Sequence, residues 1–354
     1  MVSCDQLPNS LQITNLNCQS TNHLDVLSEI KNTYESIFAW DIYEKVEKLR
    51  NSPTEILSKV TEKEGLIFEN NNKFNFDSMY LCLIRCYETF LNGDFSQALS
   101  QINDLVQILK CTKMDTFFQP ILNACFHVIY ATKAYIMAFL NENTQQILKD
   151  IKPCLSFNSV EKAAVYAIKS KVFLEYPYKG NKIALRLAEF ARDFNSTENH
   201  WIIIWLIAKG RQRRFDRDRT LPFRDELEAA KKLCSFEDNP EFLLSASNVF
   251  LEAGLDYNMA KQYFTRGFLG GSFSSSLQLL KVECLLDSDN NFSIVLYLDF
   301  LYELYTCPMR RLIIVNQILL YYTYIEANPK ALINYLDIYL NQDIDYVQKK
   351  QQII

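Results

Sequence analysis

The stretch Leu91–Leu109, "LNGDFSQALSQINDLVQIL", decides the fold. Gly93 and Asp94 interrupt a helical pattern. Phe95, Ala98, Leu99, Ile102, Leu105, Val106 and Leu109 then restart it at i, i+3, i+4, i+7 spacing, the mark of a helix with one apolar face. The segment before the break, from about Ser78 to Leu91, is apolar on most of its surface, and Gly93 suits a left-handed helix stop. The pattern is a helix–turn–helix pair of the tetratricopeptide type. Ala98 sits where the two helices cross closely, and Phe95 covers the turn.

The pattern recurs. "GNKIALRLAEFARDFNSTENHW" places Ala184, Ala188 and Ala191 on one face before a polar turn and Trp201. "NPEFLLSASNVFLEAGLDYNMAKQYFTRGF" repeats it with Gly254, Ala260 and Phe264 in the corresponding roles. The intervals Ala98–Ala184 and Ala184–Ala260 each fit two units of about 34 residues plus insertions. The units near 121–155 and 201–235 are more degenerate. Further helices are expected at 293–306, 309–326 and 329–341, with Pro308 and Pro329 marking breaks.

β-Alternation with turn chemistry is largely missing, so the class is all-α: a tetratricopeptide-like superhelix of roughly seven or eight helix pairs. Residues 1–30 read as a polar, poorly structured lead-in and 31–354 as the superhelix, with a sub-boundary near 215–222. Only eight of the 354 residues are glycine and about half are apolar, which fits a folded, helix-rich chain. The net charge of −5 exerts no global pull on nucleic acid or anionic membrane, so such binding needs a local patch. The N-terminus has neither the basic start nor the apolar run of a signal peptide. Ile121–Leu140 contains Asn123, His127 and Lys133 and reads as a buried helix pair rather than a membrane span. Ten scattered cysteines with no C-x-x-C read as reduced core thiols. A cytosolic protein is expected.

No phosphate-cradling glycine loop, nucleophile elbow or His-Glu metal helix is present, and Gly270-Gly271-Ser272 lacks the accompanying lysine. Neither catalysis nor a cofactor is expected. Three histidines, His23, His127 and His200, and cysteines such as Cys82, Cys86 and Cys125 do not make a metal set, and no metal is expected. The sharpest charge feature is "KGRQRRFDRDR", Lys209–Arg219, with six cations and two aspartates. Trp201 and Trp205 precede it on the same helix. Arginines beside aromatics bind single-stranded RNA by holding backbone and stacking bases. The alternative is a helix whose start packs in the core and whose end carries self-paired surface charge. The tyrosine-rich tail, including Tyr297, Tyr302, Tyr305, Tyr321, Tyr322, Tyr324, Tyr335 and Tyr339, reads equally as a peptide-gripping groove or as helix packing. The terminal "VQKKQQII" either frames a self-association contact or frays.

Several segments resemble the interferon-induced tetratricopeptide-repeat family: Phe38–Leu49, Met79–Leu105, Lys182–Arg211 and Leu221–Ser247, spanning roughly 35–285. The resemblance implies a cytosolic antiviral protein that binds the 5′ end of RNA in a basic pocket, acts through protein partners, or does both. It places Arg211 on the family's pocket arginine and Glu175 on a phosphate-holding lysine. Asn51, Glu55 and Lys59 fall on a polar set, and Asp287 and Asp289 fall near a later basic stretch. A carboxylate in place of a cation is expected to repel phosphate by several kcal/mol at close range, which argues against triphosphate-end recognition. The RNA expectation rests on Arg211, Lys209, Arg213, Arg214 and Trp205. The alternative is a protein–protein adaptor that grips a helix or extended peptide. A basic lining around Arg211 favours RNA; an acidic one favours a basic partner.

Overall fold

A computed structural model describes residues 20–46, 56–61, 63–64, 75–111, 116–176, 179–215, 221–236, 239–254, 257–269, 272–286, 292–305 and 308–337. Every regular element among them is helical. In chain order these are α1 (Ser20–Thr33), α2 (Ile42–Lys45), α3 (Phe76–Leu91), α4 (Phe95–Cys111), α5 (Phe118–Phe139), α6 (Gln145–Lys149), α7 (Ser159–Leu174) and α8 (Lys179–Phe194). They continue as α9 (Asn199–Phe215), α10 (Arg224–Cys234), α11 (Pro240–Ala253), α12 (Tyr257–Leu269), α13 (Phe273–Leu286), α14 (Ile294–Leu304) and α15 (Pro308–Tyr324). Residues 56–61, 63–64 and 329–337 are also helical.

The Leu91–Leu109 stretch folds as its spacing requires. α3 ends in Gly93 at φ 90°. The Gly93 N–H donates to the Phe90 carbonyl and the Asp94 N–H to the Thr89 carbonyl. That pair of bonds satisfies the last carbonyls of α3 and turns the chain into α4. Ala98 is fully buried, and the Cys86 thiol of α3 donates to its carbonyl at 3.2 Å. The same contact recurs between α7 and α8, where the Ser170 hydroxyl donates to the Ala184 carbonyl at 2.8 Å. Ala184, Ala188, Ala191 and Ala260 are fully buried, and Gly254 stops α11 at φ 62°. Asparagine starts three of the first helices: Asn75 and Asn158 form capping boxes with Ser78 and Glu161, and Asn239 caps α11 ahead of Pro240.

The first helices of the pairs form one layer: α5 packs on α7, α7 on α9, α9 on α11 and α11 on α13. The second helices α4, α8, α10 and α12 fill the other layer, each against its pair or the next first helix. One apolar core runs from Ile37 to Val282, and a second, around Leu298, Leu301, Ile314 and Ile318, continues at the C-terminal end. The fold is a tetratricopeptide-like all-α solenoid.

Two details differ from the sequence expectations, and a third decides between two open readings. Ile121–Phe139 lies in one continuous helix, α5, which Leu140 ends, and not in a helix pair. By length and composition α5 is long and apolar enough to cross a membrane, but Ile121, Ala124, Cys125, Val128, Ile129, Ala131 and Ala134 are buried against neighbouring helices. Its partner α6 is a short five-residue helix. α1 begins at Ser20, inside the 1–30 stretch expected to be loose, and its Leu27 and Ile30 pack against Ala134, Ala138, Ile147 and Leu148. With few apolar positions, α1 gives a weak periodic signal; it is fixed by the face that the shortened α6 leaves on α5. For the tyrosine-rich tail, the packing alternative holds at Tyr297, Tyr302, Tyr305, Tyr322 and Tyr335, which pack in the C-terminal core. Tyr339 and "VQKKQQII" lie outside the described residues.

Candidate anion-binding groove

Two charged clusters form around α9, and they differ in character. The first contains most of the Lys209–Arg214 run. Arg213 is 5% exposed and forms ion pairs with Glu226 of α10 and Glu252 of α11. Arg214 pairs with Glu252 as well. Lys209 meets Asp225 at 2.6 Å. Its ammonium also lies 4.6 Å from the Trp205 ring centroid, and the Arg192 guanidinium lies 3.9 Å from the same centroid. Trp205 is 2% exposed and Trp201 fully buried. This cluster ties α9 to α10 and α11, and the Trp205 ring faces are occupied by the protein's own cations. Residues 216–219 of the basic run lie outside the described residues.

The second cluster gathers around Glu175 at the C-terminal end of α7. Lys63 donates to both Glu175 carboxylate oxygens, at 2.7 and 2.6 Å. Lys59 lies 3.1 Å from the carboxylate and donates to the Glu175 backbone carbonyl at 3.3 Å. Arg211 of α9 donates to the Leu174 carbonyl. The final carbonyls of a helix carry the negative end of its dipole, so this corner attracts cations even without the side chain. Glu175 itself is 2% exposed. Burial opposes its ionisation, but Lys63, Lys59 and Arg211 outweigh that and hold its carboxyl below the ordinary carboxylate value. Burial lowers the Lys63 ammonium against the pull of Glu175, and Lys59 and Arg211 add to the lowering. Three cations share one carboxylate, so the cluster carries a formal excess of +2 (three minus one).

Next to it lies Tyr80 of α3, on which Asp77, Glu175, Arg211 and Glu241 all act electrostatically. Lys171 of α7 pairs with Asp77 at 2.8 Å and lies 5.0 Å from the Tyr80 ring centroid. Glu241 is exposed to solvent, yet the crowding around it, and then Asp77, push its carboxyl up against the opposing pull of Lys171 and His200. Side chains from α3, α7, α9 and α11 therefore converge across helices that are far apart in sequence. Together they make a cationic corner (Lys59, Lys63, Arg211) with an acidic flank (Asp77, Glu241).

The corner adjoins a buried polar hub. Glu88 of α3 accepts hydrogen bonds from Tyr43 at 2.8 Å and from Tyr176, the residue after Glu175. Glu88 is fully buried, and that burial pushes its carboxyl up to about 7 although the two phenols oppose the shift.

Of the residues expected to contact RNA, the structure brings Arg211 into the cationic corner. It places Lys209, Arg213, Arg214 and Trp205 in the α9–α11 cluster. Lys59 joins Arg211, whereas Asn51, Glu55, Asp287 and Asp289 lie outside the described residues. Glu175 does not stand alone as a repelling charge; it is the counter-ion that gathers Lys59, Lys63 and Arg211. Sequence reasoning missed Lys63, Tyr80, Asp77, Lys171 and Glu241. One signal was available: Lys59 and Lys63 are spaced i, i+4 and so share a helix face. Among the described residues no group of three or more His, Cys, Asp or Glu is placed to hold a metal ion. His127 meets Cys154, with 3.1 Å between Nε2 and Sγ, while the same Nε2 accepts the Glu35 N–H.

No family model matches the sequence, and no curated protein matches it. Among solved structures the chain is similar to a human IFIT1 dimer with PPP-AAAA, at a TM-score of 0.58, and to a human IFIT1 dimer with m7Gppp-AAAA, at 0.61. Each is 11% identical, with 92% of this chain and 70% of that chain covered. At that identity the likeness establishes the helical-repeat fold.

Proposed function

We propose that this protein is a non-enzymatic binding scaffold whose groove takes a phosphate-bearing end of single-stranded RNA at Lys59, Lys63 and Arg211. The observation that carries this reading is the net positive corner, built by three cations from two separate elements around Glu175. RNA affinity rests largely on cations that neutralise phosphate, and a cation held in place by the protein loses less freedom on binding. The human IFIT1 structures, with PPP-AAAA and m7Gppp-AAAA, support the reading by analogy of fold. On the same proposal the chain is a divergent relative of the interferon-induced tetratricopeptide-repeat family and acts in the cytosol in antiviral defence. Self-association belongs to it too: Leu296, Phe300 and Leu304 are exposed on one face of α14, an apolar stripe that a second copy would cover.

The test is equilibrium binding of a short 5′-phosphorylated single-stranded RNA to wild type and to Arg211→Glu at low salt. Binding that the variant loses supports the proposal. Equal binding by both, or none by wild type, overturns it.

A second reading is supported by Asp77 and Glu241, which flank the corner with negative charge. A groove of mixed charge suits a peptide carrying both signs, and the protein would then be an adaptor.

A further inference from the structure

We propose that Glu175 sets the charge of the RNA end the groove accepts, so that a 5′ monophosphate is preferred over a triphosphate; this rests on the RNA reading above. Glu175 is buried and bonded through both carboxylate oxygens. It therefore behaves as a fixed anion already occupying part of the cationic corner. What remains, a formal +2, matches a terminal phosphate monoester, which carries about −1.5 to −2 at neutral pH.

The remaining donors point the same way. A lysine ammonium has three N–H groups. Lys63 directs two donors to Glu175, and Lys59 directs donors to the Glu175 carboxylate and backbone carbonyl. Arg211 uses one of five donors on the Leu174 carbonyl. Lys59 and Lys63 keep 42% and 31% of their side-chain surface open. Those free donors suffice for one phosphate group. Further phosphates extending from the corner meet Glu175 or the acidic flank of Asp77 and Glu241, whose charges act on the same Tyr80. Lys171, paired with Asp77 at 2.8 Å, offsets that carboxylate, so Glu241 carries most of the flank's charge.

The experiment compares one RNA sequence with hydroxyl, monophosphate or triphosphate 5′ ends, bound to the full chain at a single low salt concentration. Wild type is expected to rank monophosphate first, with hydroxyl and triphosphate about tenfold weaker or more. Glu175→Gln removes the fixed anion and is expected to bring triphosphate level with monophosphate or ahead of it. Wild-type preference for triphosphate, or equal binding of the two phosphorylated ends above the hydroxyl end, overturns the inference while leaving the RNA reading intact. Failure to bind any of the three RNAs, or equal binding of all three, overturns the underlying reading instead. The wild-type ranking decides even if Glu175→Gln folds poorly, and Lys59→Gln provides a second arm: it should weaken monophosphate binding and leave hydroxyl-ended RNA unchanged. Equal weakening of both would place Lys59 on the strand and count against the inference.

Discussion

Glu88 is fully buried with two phenols and no cation among its hydrogen-bond partners. Its carboxyl is raised to about 7 in the folded chain, against an ordinary value of about 4.3 when unfolded. A raised acid favours the folded state most when protonated. That contribution is fully present below the unfolded value and is lost as pH rises through about 7, at a cost of about 4 kcal/mol. Glu88→Gln keeps the shape and removes the charge, so it should raise the melting temperature clearly at pH 8 and little at pH 5. Equal effects at both pH values would mean that Glu88 does not titrate near neutrality. Arg213 poses the opposite problem, a buried cation with two carboxylate partners. Arg213→Met strands Glu226 in the core and should cost about 3–5 kcal/mol of unfolding free energy. Adding Glu226→Leu should recover most of that loss in denaturant titration. Arg213 and Arg211 are neighbours in a single basic run, and only their partners distinguish them. Glu226 and Glu252 are distant in sequence, so the run itself could not reveal which cations were already paired.

At the scale of elements, the helix pairs were the most legible part of the chain. Gly93, Phe95 and Ala98 mark the α3–α4 turn because each answers a local demand: a left-handed stop, a cover for the turn, and a close crossing. Ala98 is fully buried, with its carbonyl in contact with Cys86. Ala98→Leu should therefore wedge α4 away from α3 and cost about 1–3 kcal/mol. The same change at exposed Ser100 should cost little, as paired thermal melts would show. α1 and the short α6 were hard to read because their place is set by what they cover. The sequence pattern of α5 is apolar nearly all round, which is ambiguous between one long buried helix and two short ones. The choice was made by α1 supplying a packing surface along one side of it.

For the whole molecule, local pattern predicts a solenoid well but predicts its groove poorly. Repeat spacing fixes which helices are neighbours. It does not fix the superhelical curl that brings Asp77 and Tyr80 of α3 to Arg211 of α9 and Glu241 of α11. Sequence alone made Glu175 an obstacle to phosphate, because its two lysine partners lie more than a hundred residues earlier, across that curl. The central claim is that the corner around Glu175 binds RNA through a small, countable set of cations. The most direct test is the salt dependence of Kd for a 5′-monophosphorylated single strand, measured for wild type and for Lys59→Gln. For single strands the slope of log K against log salt is about −0.7 per phosphate neutralised. The account predicts a wild-type slope of about −1.4, for the formal +2 of the corner, that becomes shallower by about 0.7 in the variant. A flat salt dependence, or a slope untouched by Lys59→Gln, would contradict it.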